Sequence, residues 1–282
     1  MRLKPVISAA VLILGLSAAS AMWWYRFDIQ QAYNQSQLPP AVSFDQIEQP
    51  TEDAKEPEVI IDKLEPTETT SEKTEQDIIP VTSVPDKSVT ELPKTVNLAV
   101  PFTSQAPKGN WDLPYQEACE EASLIMVNSY YQKKTGVLDS TEVESEIARM
   151  VDFENAFFGT YLDTTVAQTS LLAEQFYGFE NMEIIENPTV EDIKNKLAAG
   201  YPVIVPAAGQ ALGNPFFTPP GPLYHMLVIR GYTETGFITN DPGTRRGEAY
   251  VYSFDRLMSS IHDWNDGLVS EGQSVVLVLM PN

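Results

Sequence analysis

Cysteine is almost missing from this chain: Cys119 is the only one in 282 residues. That excludes an intrachain disulfide and any zinc site built on several cysteines. Histidine is nearly as scarce. His225 and His262 lie too far apart for a paired-histidine metal motif, so no metal is expected. Basic residues are few. Only 18 Lys and Arg stand against 39 Asp and Glu, a formal charge of -21. Such a surface repels phosphate, which excludes a nucleic-acid partner. There is no Gly-rich ATP-binding loop and no internal repeat, and no cofactor is implied.

What is present is unevenly spread. Arg2 and Lys4 precede an uncharged run over residues 5–25. A positive end followed by an apolar stretch is an export signal, with the charged end kept in the cytoplasm. The run is about long enough to span a bilayer. Trp23, Trp24 and Tyr25 at its end resemble an interfacial aromatic belt. Residues 1–27 are therefore expected to be a signal anchor, with the remainder outside the cytoplasm on a single-pass membrane protein. The alternative is secretion after cleavage near Ala21, since Ala19-Ser20-Ala21 has the small-x-small form a signal peptidase cuts.

Residues 28–95 are rich in Pro, Glu and Thr. Between Pro40 and Thr95 stand 14 acidic and 5 basic residues. Val59, Ile60, Ile61, Ile78 and Ile79 are apolar without a sustained period. Such a stretch buries too little to offset the entropy of ordering, so a disordered acidic tether is expected.

Residues 96–282 read as a folded domain. A short strand over 97–102 leads into a loop and then a helix from about Gln116 to Lys133. In that helix Ala118, Ala122, Ile125, Met126 and Tyr130 share a face, with Glu117, Glu120 and Glu121 in the first turn. Further helices are expected over 141–152, 163–177 and 189–199, the last closed by Gly200. After Gly200 the pattern changes to strands over 202–205, 223–232, 236–239, 248–253 and 274–280, with one helix over 254–264. Helices first and an antiparallel sheet afterwards argue for an α+β domain.

The candidate chemistry centres on Cys119. A thiol at a helix start feels the partial positive charge there, which favours thiolate. The neighbouring glutamates oppose it, so a cationic partner is needed. His225 lies near the start of the strand LYHMLVIRGY, and Asp241 follows the next strand in GFITNDPG. If the two strands pair through Thr233-Glu234-Thr235, His225 and the Asn240-Asp241 end lie side by side. A nucleophilic thiol needs an imidazole to take its proton and a third polar group to orient that imidazole. Gln105 could add a side-chain N–H beside the Cys119 amide to hold an oxyanion. Each residue has an ordinary reading when taken alone. A single cysteine is usually a small buried hydrophobe, and Asp before Pro-Gly is usually a turn former. His262, beside Asp263 and Asp266, reads as surface.

The segments VPFTSQAP, NWDLPYQEACEEASLIM, LYHMLVIRGY and ITNDPG resemble the stand-alone C39-like peptidases, relatives of the bacteriocin-leader peptidases. The resemblance covers residues 96–282. It implies a papain-like cysteine peptidase fold, with Cys119 as nucleophile, His225 as general base, Asp241 as its orienter and Gln105 in the oxyanion hole. Asn240 is a rival for the orienting role. Exporter-fused leader peptidases work in the cytoplasm, so their substrate does not carry over to an exported chain. Residues 207–222 hold Phe216 and Phe217 among four prolines and could form a substrate lid. Trp111 is a further candidate for substrate contact. The expected partner is a peptide or protein, with the peptide part of the cell wall as an alternative substrate. A non-catalytic binding module on a stalk is the third reading.

Overall fold

The computed structural model describes residues 25–26, 28–47 and 92–282. The expected signal segment and most of the expected tether lie outside them. Among the described residues no helix is long and apolar enough to cross a membrane.

The core is one antiparallel sheet with helices against it, the α+β arrangement expected of this sequence. The strands are β1 (Val96–Asn97), β2 (Asn181–Glu186), β3 (Val203–Ala208), β4 (Tyr224–Tyr232), β5 (Gly236–Asn240), β6 (Tyr250–Ser253) and β7 (Val275–Met280). Their spatial order is β2-β7-β3-β4-β5-β6, with β1 added against β4. All nine residues of β4 and all five of β5 are buried. Their Val, Ile and Leu content suits strands covered on both faces.

The helices that matter here are α1 (Cys119–Tyr131), α2 (Ser140–Phe157), α3 (Val166–Leu172) and α4 (Val190–Ala198). Helix α1 follows a single 3-10 turn over Tyr115–Glu117. It has no polar face: every residue except Asn128 and Tyr131 is buried, Glu120 and Glu121 included. That makes it a central core helix rather than an amphipathic surface one. The other helices start where their caps dictate. The Asp139 side chain accepts from the amides of Thr141 and Glu142 to open α2. Thr165 and Gln168 form a capping box that opens α3, and Thr189 with Asp192 does the same for α4.

Two glycines are forced by close approach. Gly231 lets β1 lie on β4, since a Cβ there would sit 2.1 Å from the Val96 carbonyl oxygen. Gly243 is taken up with the site below.

Three expectations need correction. Strand β2 was not anticipated: among the described residues it pairs only with β7, and its exposed residues are Asn181, Ile184 and Glu186, so polarity does not alternate along it. The helix expected over 254–264 stops at Met258, because the chain must turn to bring Ile261 against Ala207 of β3. The tether expected from residue 28 does not begin there. Residues 28–36 are helical, and Gln31 and Gln35 donate to the carbonyls of Arg246 and Glu248 at 2.6 Å each. Asp28 pairs with Arg246. Val42 bridges Leu98, and Phe44 packs edge-on to Tyr130 and Tyr131 with ring centroids at 6.2 and 5.4 Å. The aromatic anchor and main-chain bonds stabilise what composition alone marks as disordered.

Candidate active site

Cys119 is the first residue of α1, where helix amides have no intrahelical acceptor. Helix α1 packs against β4, and that contact places the sulfur. The backbone N–H of Met226 is near enough to the sulfur to favour its thiolate. Met226 follows His225, so the thiol sits against the peptide unit that joins the two. The thiol donates to Glu120 Oε2 at 2.9 Å. Burial pushes the Cys119 thiol well above its ordinary range; the Glu120 charge and hydrogen bond add to this, and the Met226 amide opposes it.

His225 lies on β4 and Asp241 just past the end of β5. The hairpin turn closes as Thr233 N–H donates to the Gly236 carbonyl at 2.9 Å. That register pairs Val228 with Asn240 and carries Asp241 to the level of His225. His225 Nε2 lies 2.8 Å from Asp241 Oδ1. A carboxylate can only accept, so Nε2 carries the hydrogen and Nδ1 is left to take a proton. Asp241 is wholly buried and all its acceptor directions are used. Oδ1 also accepts from the Gly243 amide at 3.0 Å, and Oδ2 accepts from Tyr252 Oη at 2.6 Å and Asn214 Nδ2 at 3.0 Å. Burial alone would raise this carboxyl. The His225 charge and the hydrogen bonds from His225, Tyr252 and Asn214 outweigh it and hold the pKa below the ordinary value.

Asn240 points away from the imidazole. Its amide donates to the carbonyls of Val100 and Pro101 at 3.1 Å each. Its oxygen accepts from Ala249 and from the buried Arg230. Asp241, not Asn240, therefore contacts His225.

Gln105 is placed differently from the expectation. Both Nε2 hydrogens are committed, to the Tyr115 carbonyl at 3.0 Å and the Gln116 carbonyl at 2.8 Å. With both donors spent, this side chain braces the turn before Cys119 instead of offering an N–H to an oxyanion. The first amides of α1 have no acceptor within the helix. Gln105 also joins the two sides of the site: its backbone N–H and the Ser104 hydroxyl both donate to the Pro242 carbonyl, at 3.0 and 3.1 Å.

The aromatic candidates separate. Phe217 meets the His225 ring edge-on, centroids 5.3 Å apart, so it walls the imidazole. Phe216 packs instead on Tyr250 and beneath the Arg246 guanidinium. Trp111 is 42% exposed on the loop leading to Cys119. Residues 207–222 are not wholly a lid: Ala207 and Ala208 finish β3, and Gly209–Leu212 is a helical turn. His262 takes no part; its Nδ1 is 3.0 Å from the Gly272 carbonyl.

Three site residues went unrecognised in the sequence. Asn214 and Tyr252 clamp the far oxygen of Asp241, and Glu120 holds the thiol. Asn214 precedes Pro215 and reads as a turn residue. Tyr252 occupies an inward position of a strand, where an aromatic ordinarily means packing. Only Glu120, next to Cys119, gave any signal.

Gly243 supplies a direct test of this geometry. A Cβ there would lie 2.8 Å from both His225 Cε1 and Phe217 Cε1. Gly243→Ala is expected to displace the imidazole, slowing thiol labelling by a peptide-like electrophile about 100-fold. The accompanying loss of stability should stay near 1–3 kcal/mol (~5 °C in Tm). Unchanged labelling would show that the ring position does not matter.

The family model of the C39-like peptidases matches residues 97–266, a span that contains Gln105, Cys119, His225 and Asp241. Among solved structures, a candidate C39-like peptidase from Bacillus anthracis is similar with a TM-score of 0.44 and 15% identity, over 67% of this chain and 99% of that one. A search of curated proteins finds no match.

Proposed function

Because this chain belongs to the peptidase C39-like family and has its papain-like fold, we propose that it is a cysteine peptidase that cleaves a peptide or amide bond through a thioester. One observation carries the reading: buried Asp241 is paired with His225 on β4, the strand against which the helix opened by Cys119 packs. The Cys119 proton passes to His225 Nδ1, and Asp241 stabilises the imidazolium. The thiolate attacks the carbonyl carbon, and the amide at the start of α1 faces the developing oxyanion. His225 returns the proton to the leaving amine, and a water then hydrolyses the thioester. Gln105 and Asn214 support this arrangement, Phe217 walls the imidazole, and Trp111 is exposed on the loop that leads to Cys119.

The apolar run over residues 5–25 supports export and membrane anchoring, with the catalytic domain outside the cytoplasm. An extracytoplasmic peptide, free or part of the cell wall, is then the substrate class. The competing reading is a non-catalytic binding module. The hydrogen bond from Cys119 to Glu120 favours it, because that contact holds the thiol protonated.

A peptidyl electrophile, followed by intact-mass measurement, separates the two readings. The wild type should gain one adduct and Cys119→Ala none. Cleavage of a peptide library by the wild type and not by Cys119→Ala would complete the case. A wild type that neither labels nor cleaves is the binding module.

A further inference from the structure

Glu120 sits at the centre of the site, yet the mechanism above gives it nothing to do. It is 1% exposed. Its two oxygens face different elements: Oε2 accepts the Cys119 thiol at 2.9 Å, and Oε1 accepts the backbone N–H of Thr164 at 2.9 Å. The Thr164 carbonyl in turn accepts Tyr224 Oη from β4 at 3.0 Å. Tyr224 is the residue before His225. A single carboxylate thus connects the nucleophile, the loop before α3 and the strand that carries the imidazole.

We propose that Glu120 is a positioning residue that holds the resting Cys119 as a protonated thiol, with its S–H turned to the carboxylate and not to His225. The inference deepens the peptidase reading and rests on it. In activation the S–H bond breaks and an N–H bond forms at His225 Nδ1. Glu120 keeps its charge throughout and takes no proton. The resting enzyme is then a weak nucleophile towards small electrophiles.

The surroundings fit this role. Glu121 and Glu117 come from the same stretch of chain as Glu120. Asp163 comes from the loop before α3, Glu154 from α2 and Tyr224 and His225 from β4; Asp263 accepts from Tyr224 at 3.3 Å. Burial raises Glu120 well above the ordinary carboxyl range, and the Glu121 charge adds to it; the thiol hydrogen bond pulls it back. Glu121 in turn interacts with the Glu154 carboxyl, and no donor elsewhere in the described structure reaches either. A proton held between that pair would remove the Glu121 repulsion, and the two donors that Glu120 accepts, the Thr164 N–H and the Cys119 S–H, favour its charged form against burial.

Glu120→Gln is nearly isosteric. Its oxygen can still accept from Thr164, while its N–H can donate to the sulfur and so favour thiolate. The test is the pH profile of iodoacetamide alkylation at Cys119, which needs no peptide turnover and so stands apart from failure of the peptidase reading. The variant's midpoint should fall by at least about one pH unit, with alkylation at about pH 7.5 roughly tenfold faster than in the wild type. A purely structural Glu120 would leave the profile in place. An identical profile, or slower reaction of the variant at every pH, overturns the proposal. If Glu120→Gln does not fold, thiolate absorbance near 240 nm decides in the wild type, with Cys119→Ser as the blank. Absorbance rising only above about pH 9 upholds the proposal, and thiolate already present near neutrality overturns it.

Discussion

Replacing His225 with glutamine should slow labelling of Cys119 by a peptidyl electrophile by about 10³-fold, within the 10²–10⁴ range of a lost general base. Glutamine can still extend an N–H towards Asp241, so the buried carboxylate keeps a donor. What disappears is Nδ1, the nitrogen that takes the thiol proton in the proposed mechanism. His225→Ala should lose as much reactivity and also about 3 kcal/mol or more of stability, because it strips a partner from a wholly buried charge. The difference between the two variants separates catalysis from folding. Labelling rates and thermal unfolding, measured together on both, provide the check. A glutamine variant that keeps more than about a tenth of wild-type reactivity would remove His225 from the proton path.

The second large effect concerns stability. Glu121 and Glu154 are fully buried, and no donor elsewhere in the described structure reaches any of their four carboxyl oxygens. The two carboxyls interact with each other, and a proton held between them would give both a partner. Burial is the first cause of the rise in both. Glu154 is pushed from 4.5 to about 8, and Glu121 is also driven well up. A group whose folded pKa lies above its unfolded one contributes its full stability below the unfolded value and loses it as pH rises through the folded value. For Glu154 that window runs from 4.5 to about 8. The wild type should therefore lose a few kcal/mol across it. The double variant Glu121→Gln, Glu154→Gln can form a mutual hydrogen bond without the titration. It should match the wild type near pH 5 and melt about 5–10 °C higher near pH 8.5. A wild type that becomes more stable with rising pH, or a double variant that follows the same slope, would contradict the shared proton.

The parts of the site legible in the sequence were those fixed by local rules. A cysteine after a Pro- and Gly-marked loop and before an apolar helical period is a helix-start cysteine. A short polar link between two apolar runs is a hairpin, and the hairpin register then carries Asp241 to His225. Choosing between Asp241 and Asn240 needed the sheet. Asn240 faces the Val100 and Pro101 carbonyls, more than a hundred residues away in sequence. Gln105 was legible as a site residue but not in its role, because the carbonyls it braces belong to a turn with no sequence signature. Glu120 and Glu121 were legible as first-turn acids that oppose thiolate, but not as buried ones. Their protection comes from Thr164 and from Glu154 on another helix. Residues 28–47 were missed because composition averaged over a long acidic stretch hides a few anchoring residues such as Phe44.

The docked N-terminal stretch changes the reach of the domain. If the apolar run ending at Tyr25 sits in a bilayer, the chain is already fastened to the domain at Asp28. Three residues of extended backbone span only about 10 Å. Catalysis would be confined to a thin layer at the membrane surface, open to chains emerging there and closed to those deep in the wall.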